Sequence, residues 1–156
     1  MNMRHAIGSF VILMLTAWGG SGGHENHTAA SETAKSPSDS VYNLVMEDHN
    51  VAMPKMGQLS RYQVAAKKES DSITGVLAKK KDPALSARKQ MLDSLQVQLK
   101  TAEDEMDHWM QGFETDSAGT TEESKLKYYT KEKEKVGAIK ENMIAVLARA
   151  DSVLKK

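Results

Sequence analysis

Nine positions between Leu85 and Phe113 recur at alternating intervals of three and four residues: Leu85, Arg88, Leu92, Leu95, Leu99, Ala102, Met106, Trp109 and Phe113. Arg88 alone among them is not apolar. An alternation of three and four draws one apolar line along a helix, and that line is covered only by another helix, as in a coiled coil. A strand alternates every second residue and cannot use such a pattern. Composition agrees with helix. Aromatic residues make up only 5 % of the chain while methionines number 10, which suits Leu/Met/Ala seams better than a sheet rich in β-branched and aromatic residues.

Two further helices can be drawn around this one. Ser38-Asp39-Ser40 offers N-cap residues, so a first helix is expected from residue 39 or 40. Its face runs through Val41, Leu44, Val45, Ala52, Met56, Leu59, Ala66, Ile73 and Leu77. Pro54 lies inside it, which predicts a kink or short break near residues 49–53 because proline removes a backbone hydrogen bond and crowds the preceding turn. Asp82-Pro83 closes that helix and opens the next. After the turn-rich Thr115–Thr121, a third helix starts at Thr121 or Glu122, with a seam of Leu126, Tyr129, Val136, Ile139, Met143, Val146, Ala150 and Val153, widened by Leu147 and Leu154. Short connections make neighbouring helices antiparallel. The expected fold is all-α: an up-down-up three-helix bundle with coiled-coil-like seams, spanning residues 39–156.

The residues before the bundle read differently. Ala6 to Ala17 (AIGSFVILMLTA) is an apolar run of signal-peptide length behind a weakly basic start, shorter than the ~20 residues of a spanning helix. Leu15-Thr16-Ala17-Trp18-Gly19-Gly20 matches a lipobox except at the position that receives the lipid, where Trp18 stands in place of cysteine. Lipidation needs a thiol to form its thioether, and an indole supplies none. Residues 1–18 are therefore a lipobox-like leader that cannot be lipidated at position 18. Residues 19–38, rich in Gly, Ser, Thr and Ala, read as a flexible tether; His24 and His27 within it form no ordered pair of ligands.

Several function classes drop out. The chain has no cysteine, which excludes disulfides, thiolate metal sites and cysteine nucleophiles. Basic and acidic residues balance at 21 each, so charge gives no reason to expect a nucleic-acid partner. No phosphate-binding loop or nucleophile elbow occurs, and the chain reads as no enzyme with no cofactor.

Two stretches depart from the Glu/Lys/Leu background, VMEDHNVAMPKM (45–56) and AEDEMDHWMQGF (102–113). Folding back at Asp82-Pro83 brings them to one end of the bundle, with Tyr128 and Tyr129 nearby. His49, Met53 and Met56 are spaced i, i+4, i+7, one helical face whose imidazole and thioethers would suit Cu(I). Methionine at helical spacing reads first as core filling, since its flexible thioether adapts to irregular gaps. Glu105 and His108 fit the Glu-x-x-His spacing of bundle di-iron sites once, but Met46 occupies the place where a second copy would need a carboxylate. Trp109, Met110 and Phe113 are the candidate interaction residues.

The motif D-H-x-x-x-M-P-K-M within Val45 to Leu59, the motif D-x-W-M within Met106 to Phe113, and the lysine-rich final helix resemble a small group of Bacteroidota envelope lipoproteins often labelled viral A-type inclusion proteins. The resemblance spans most of residues 40–156 and includes the leader. It implies an export signal and a helical bundle, with no catalytic residues, and Trp18 departs from it. The expected function is that of a non-enzymatic bundle of the cell envelope, facing the periplasm. It would meet the membrane through its leader and would act through an envelope protein or a second copy of itself. The alternative is a periplasmic copper-binding protein using His49, Met53 and Met56.

Overall fold

The computed structural model describes residues 36–155, and within them three helices pack against one another: α1 (Pro37–Leu77), α2 (Pro83–Gly112) and α3 (Glu122–Leu154), with a 3-10 turn over Thr115–Ala118 before the last. At 1.5 Å per residue they are about 60, 45 and 50 Å long. The leader, including Trp18, and most of the tether lie outside the described residues. Among the described residues no helix is long and apolar enough to cross a membrane.

Helix α1 starts two to three residues before the expected point. The reason is a capping box: the Ser36 hydroxyl accepts from the Asp39 amide at 3.1 Å, the Asp39 carboxylate accepts from the Ser36 amide at 3.2 Å, and Pro37 fills the first helical position. The residues assigned to the end of the tether, 37 and 38, are therefore helix. At Pro54, of the two outcomes anticipated near residues 49–53, a kink or a short break, the break is absent: α1 continues through the proline as one 41-residue helix.

The buried line of α1 is a strict heptad, Val45, Ala52, Leu59, Ala66 and Ile73. Leu44, expected on this face, is instead exposed, because the seven-residue register through Val45 turns its neighbour outward. From α2 come Leu92, Leu95, Leu99, Ala102, Met106 and Trp109, and from α3 Tyr129, Val136, Met143, Val146, Leu147 and Ala150. The alanines of α1 let the other two helices approach its backbone closely.

Helix ends are closed by side chains. Asp82 accepts from the amides of Ala84 and Leu85 and caps α2, as its position before Pro83 predicts. Thr121 caps α3 by accepting from the Ser124 amide. Gly119, at φ 78°, allows the reversal into α3; a Cβ there would also fall 2.7 Å from the Ser124 hydroxyl. At the first turn of α1, Ser38 donates through its amide (2.7 Å) and hydroxyl (2.8 Å) to the Glu122 carboxylate of α3.

The one non-apolar residue of the α2 seam closes the opposite end. Arg88 donates to both Glu69 carboxylate oxygens, at 2.8 and 3.0 Å, and to the Val153 carbonyl at 2.8 Å. It thus ties α1, α2 and the last turn of α3, where free carbonyls carry partial negative charge. Hydrogen bonding to Glu69 raises the Arg88 pKa above its ordinary value.

Candidate functional site

The two unusual stretches meet at the end of the bundle where α1 begins and α2 finishes. Helix α2 delivers Trp109 and Phe113 from consecutive turns, with ring centroids 4.9 Å apart and stacked. Helix α1 sets His49 against Trp109 at 5.7 Å and Tyr42 against Phe113 at 6.4 Å. Helix α3 adds Tyr128 and Tyr129, which lie 6.2 and 6.5 Å from Phe113. Tyr42 meets Tyr129 edge-on at 5.2 Å. The arrangement is one continuous group of rings drawn from all three helices, in the offset and edge-to-face geometries that aromatic quadrupoles favour. Burial pushes the Tyr129 hydroxyl pKa up, and the Tyr128 hydroxyl accepts from the Glu114 amide at 3.1 Å.

At the centre of this end lies a residue that the sequence pattern passes over. Glu132, on α3, is only 4 % exposed. Its carboxylate accepts from the Trp109 indole N–H at 3.0 Å and from the Lys135 ammonium at 2.7 Å. A buried carboxylate is tolerated only when paired and hydrogen-bonded, and here both oxygens are engaged. The signal in the sequence is a gap. The α3 seam jumps seven residues from Tyr129 to Val136, and the three-four alternation places its missing member at 132.

Beside Trp109 an open groove of about 460 Å³ runs between α2 and α3. Trp109 and Ile139 supply apolar wall, Glu132 and Lys135 the polar side, and His108 and Glu105 the rim. His108 is exposed, as its place one residue before a core position predicts. Glu105 accepts from Asn142 at 2.8 Å across the α2–α3 boundary. Of the expected interaction residues, Trp109 is buried with its indole aimed at Glu132, while Met110 and Phe113 are partly buried against the core.

His49, Met53 and Met56 lie on α1 and are each half-buried. Met53 and Met56 pack against the core, while the His49 ring stands against Trp109. Met106, in the second unusual stretch, is fully buried, in keeping with thioethers as core filling.

Three further carboxylates of the two stretches are occupied by neighbouring helices or turns. Asp48 receives Lys140 at 2.6 Å, Glu103 receives Gln63 at 2.8 Å, and Asp104 is paired with Lys100 one turn earlier. Hydrogen bonding to Asp48 raises the Lys140 pKa. Gly137 makes room for that pair, since a Cβ there would sit 3.2 Å from the Asp48 carboxylate. Among the described residues no group of three or more His, Asp or Glu side chains comes together in a way that could hold a metal ion. No family model, no curated protein and no solved structure matches this chain.

Proposed function

We propose that this chain is a non-enzymatic helical bundle of the cell envelope that works through protein contacts made at its aromatic end. The observation that carries the reading is the groove beside Trp109. It offers an indole wall, a buried carboxylate with its lysine partner, and an exposed imidazole at the rim. An apolar wall rimmed by polar groups is the pattern of a contact patch, in which a partner's apolar or aromatic side chain fills the hollow. The other titratable groups brought together across the bundle, such as Asp48 with Lys140 and Glu69 with Arg88, form ties between helices. The envelope setting rests on the lipobox-like leader and the tether that follows it.

The test places a photo-crosslinking residue at His108, on the rim of the groove, and at Lys79, at the far end of the bundle, in the full-length chain expressed in an envelope-bearing bacterium. The expected result is recovery in the envelope fraction and a discrete crosslink to a second protein from position 108 but not from 79. A cytosolic chain would overturn the envelope setting; equal or absent crosslinking at the two positions would overturn the contact surface.

One observation favours a second reading. Because α1 runs unbroken through Pro54, His49, Met53 and Met56 keep the common helical face that a break would have scattered. Retention of Cu(I) by the chain against a competing chelator, lost in His49→Ala with Met53→Leu, would move the function to copper binding. A titration without retention would remove it.

A further inference from the structure

The groove beside Trp109 has a wall of one chemistry and a border of another. Trp109 and Ile139 are its apolar part, and Gly112 brings the last turn of α2 to its edge. That turn contains no basic residue, so nothing within it offsets the partial negative charge of the free carbonyls at the helix end. Of the charged groups at the groove, Lys135 is paired with Glu132 at 2.7 Å, and the two cancel. Glu105 accepts from the side-chain amide of Asn142, a neutral donor. Just past the end of α2, Glu114 and Asp116 border a second hollow, about 450 Å³, together with Phe113, whose ring stacks on Trp109. Among the described residues Glu105, Glu114 and Asp116 take part in no ion pair.

The surrounding chain has the same sign. Between Lys100 and Lys125 lie eight Asp or Glu residues and no Lys or Arg, and residues 36–54 hold three acidic residues and no Lys or Arg. On α3, Lys140 is held by Asp48, and Lys125, Lys127, Lys131 and Lys133 lie outside the lining of the groove. A partner for this surface must cover an apolar wall and bring positive charge to its border. An anionic lipid or a nucleic acid brings the wrong sign. Arginine and lysine supply both parts, since each carries an apolar stem below its charged head, and arginine also stacks on aromatic faces. We propose that the aromatic end receives a basic segment of a partner protein: an apolar or aromatic side chain in the hollow beside Trp109, flanked by arginine or lysine whose charge meets Glu105, Asp116 and the carbonyl end of α2. This rests on the groove being a contact surface and names the chemistry of what it contacts.

Trp18→Phe leaves Trp109 as the single tryptophan of the full-length chain, so its fluorescence reports occupancy of the groove. Two end-blocked peptides of equal apolar content serve as probes, Arg-Arg-Phe-Arg-Arg and Glu-Glu-Phe-Glu-Glu, titrated into the millimolar range. The expected result is a saturable change with the arginine peptide, weakened by added salt, and none with the glutamate peptide. Glu105→Gln with Asp116→Asn removes two charges from exposed positions and keeps an acceptor for Asn142. It should weaken binding by about fivefold or more, with unchanged helical circular dichroism. Asp71→Asn with Glu141→Gln makes the same charge change at exposed positions elsewhere and should leave binding within about twofold. An equal or absent response to the two peptides, or equal weakening by the two pairs of substitutions, would overturn the basic partner. Photo-crosslinking from position 108 separates a failure here from a failure of the contact surface. No discrete crosslink in the parent chain overturns the contact surface, whereas a crosslink undiminished by Glu105→Gln with Asp116→Asn overturns only the basic partner.

Discussion

Glu132 and Trp109 show how a single pair can organise one end of a bundle. The indole N–H is a donor without an alternative in a nearly closed site, and the carboxylate needs a donor to stay buried. Each residue therefore makes the other tolerable. Trp109→Phe is expected to cost about 1–3 kcal/mol by leaving one buried carboxylate oxygen unpaired. Glu132→Leu alone should also cost stability, by stranding the indole. The double variant Trp109→Phe, Glu132→Leu should lose less than the sum of the two, because it removes both polar partners together and completes the apolar seam between Tyr129 and Val136. Urea denaturation of the four proteins measures the coupling; strictly additive losses would mean that the hydrogen bond contributes nothing. Half of this pair was legible beforehand. Trp109 stood in an apolar series, whereas Glu132 interrupts one, and a pattern built on hydrophobicity records an interruption as a gap. Leu44 failed for the opposite reason: beside Val45, apolarity alone does not decide which of two neighbours turns inward.

At the scale of the element, α1 carries a proline through its interior without breaking. Residue 54 is exposed, so its ring displaces no core atom, and the heptad of buried residues continues on both sides of it. Packing against α2 and α3 outweighs the local preference, as tertiary contact commonly does for helix propensity. The proline still removes one backbone hydrogen bond. Pro54→Ala is therefore expected to raise stability, by up to about 3 kcal/mol, read as a higher urea midpoint with an unchanged m-value. A lower midpoint would show that the ring makes a contact that an alanine cannot. The starts and stops of the other elements follow local chemistry closely. Asp82 before Pro83 and Thr121 before Glu122 are side-chain caps, and they act through atoms two or three residues away. Such signals are readable without a fold. The start of α1 is less readable, because Ser36, Ser38 and Ser40 all have the chemistry of a cap, and only the box closed with Asp39 singles out the first.

For the molecule as a whole, hydroxyl groups of α1 tie down carboxylates on both partners. Ser38 donates to Glu122, Tyr62 to Asp151, and Ser70 to Asp93 at 2.6 Å. All three carboxyl groups titrate below the usual carboxylate range. The leading cause is the Ser38 amide for Glu122, Lys89 for Asp93 and Lys155 for Asp151. A carboxyl whose folded pKa is depressed adds stability above its unfolded pKa, about 4, and that contribution disappears as pH falls through the folded value. The bundle should thus hold full stability at neutral pH and lose it progressively on acidification below about pH 4. Glu122→Gln should be less stable at pH 7 and lose less between pH 7 and pH 3. Urea midpoints at the two pH values measure this, and an acid loss as large as that of the parent chain would show that Glu122 takes no part.

The sequence by itself determined the helical class, the position of both connections and most of the buried face, and it favoured three helices over a dimerising helical hairpin. These follow from short-range causes: a repeat of 3.5 residues, caps acting over one turn, and a proline placed at a helix start. It also determined that position 18 carries no thiol. The tertiary structure alone decided which of two adjacent apolar residues faces inward, that α1 survives Pro54, and that a glutamate occupies a core position. It also decided what becomes of the polar residues in the two unusual stretches. These outcomes depend on groups far apart in the chain, such as Trp109 with Glu132, Arg88 with Val153 or Ser38 with Glu122, and a buried polar group acquires its energetic meaning only when the partner that satisfies it is in place.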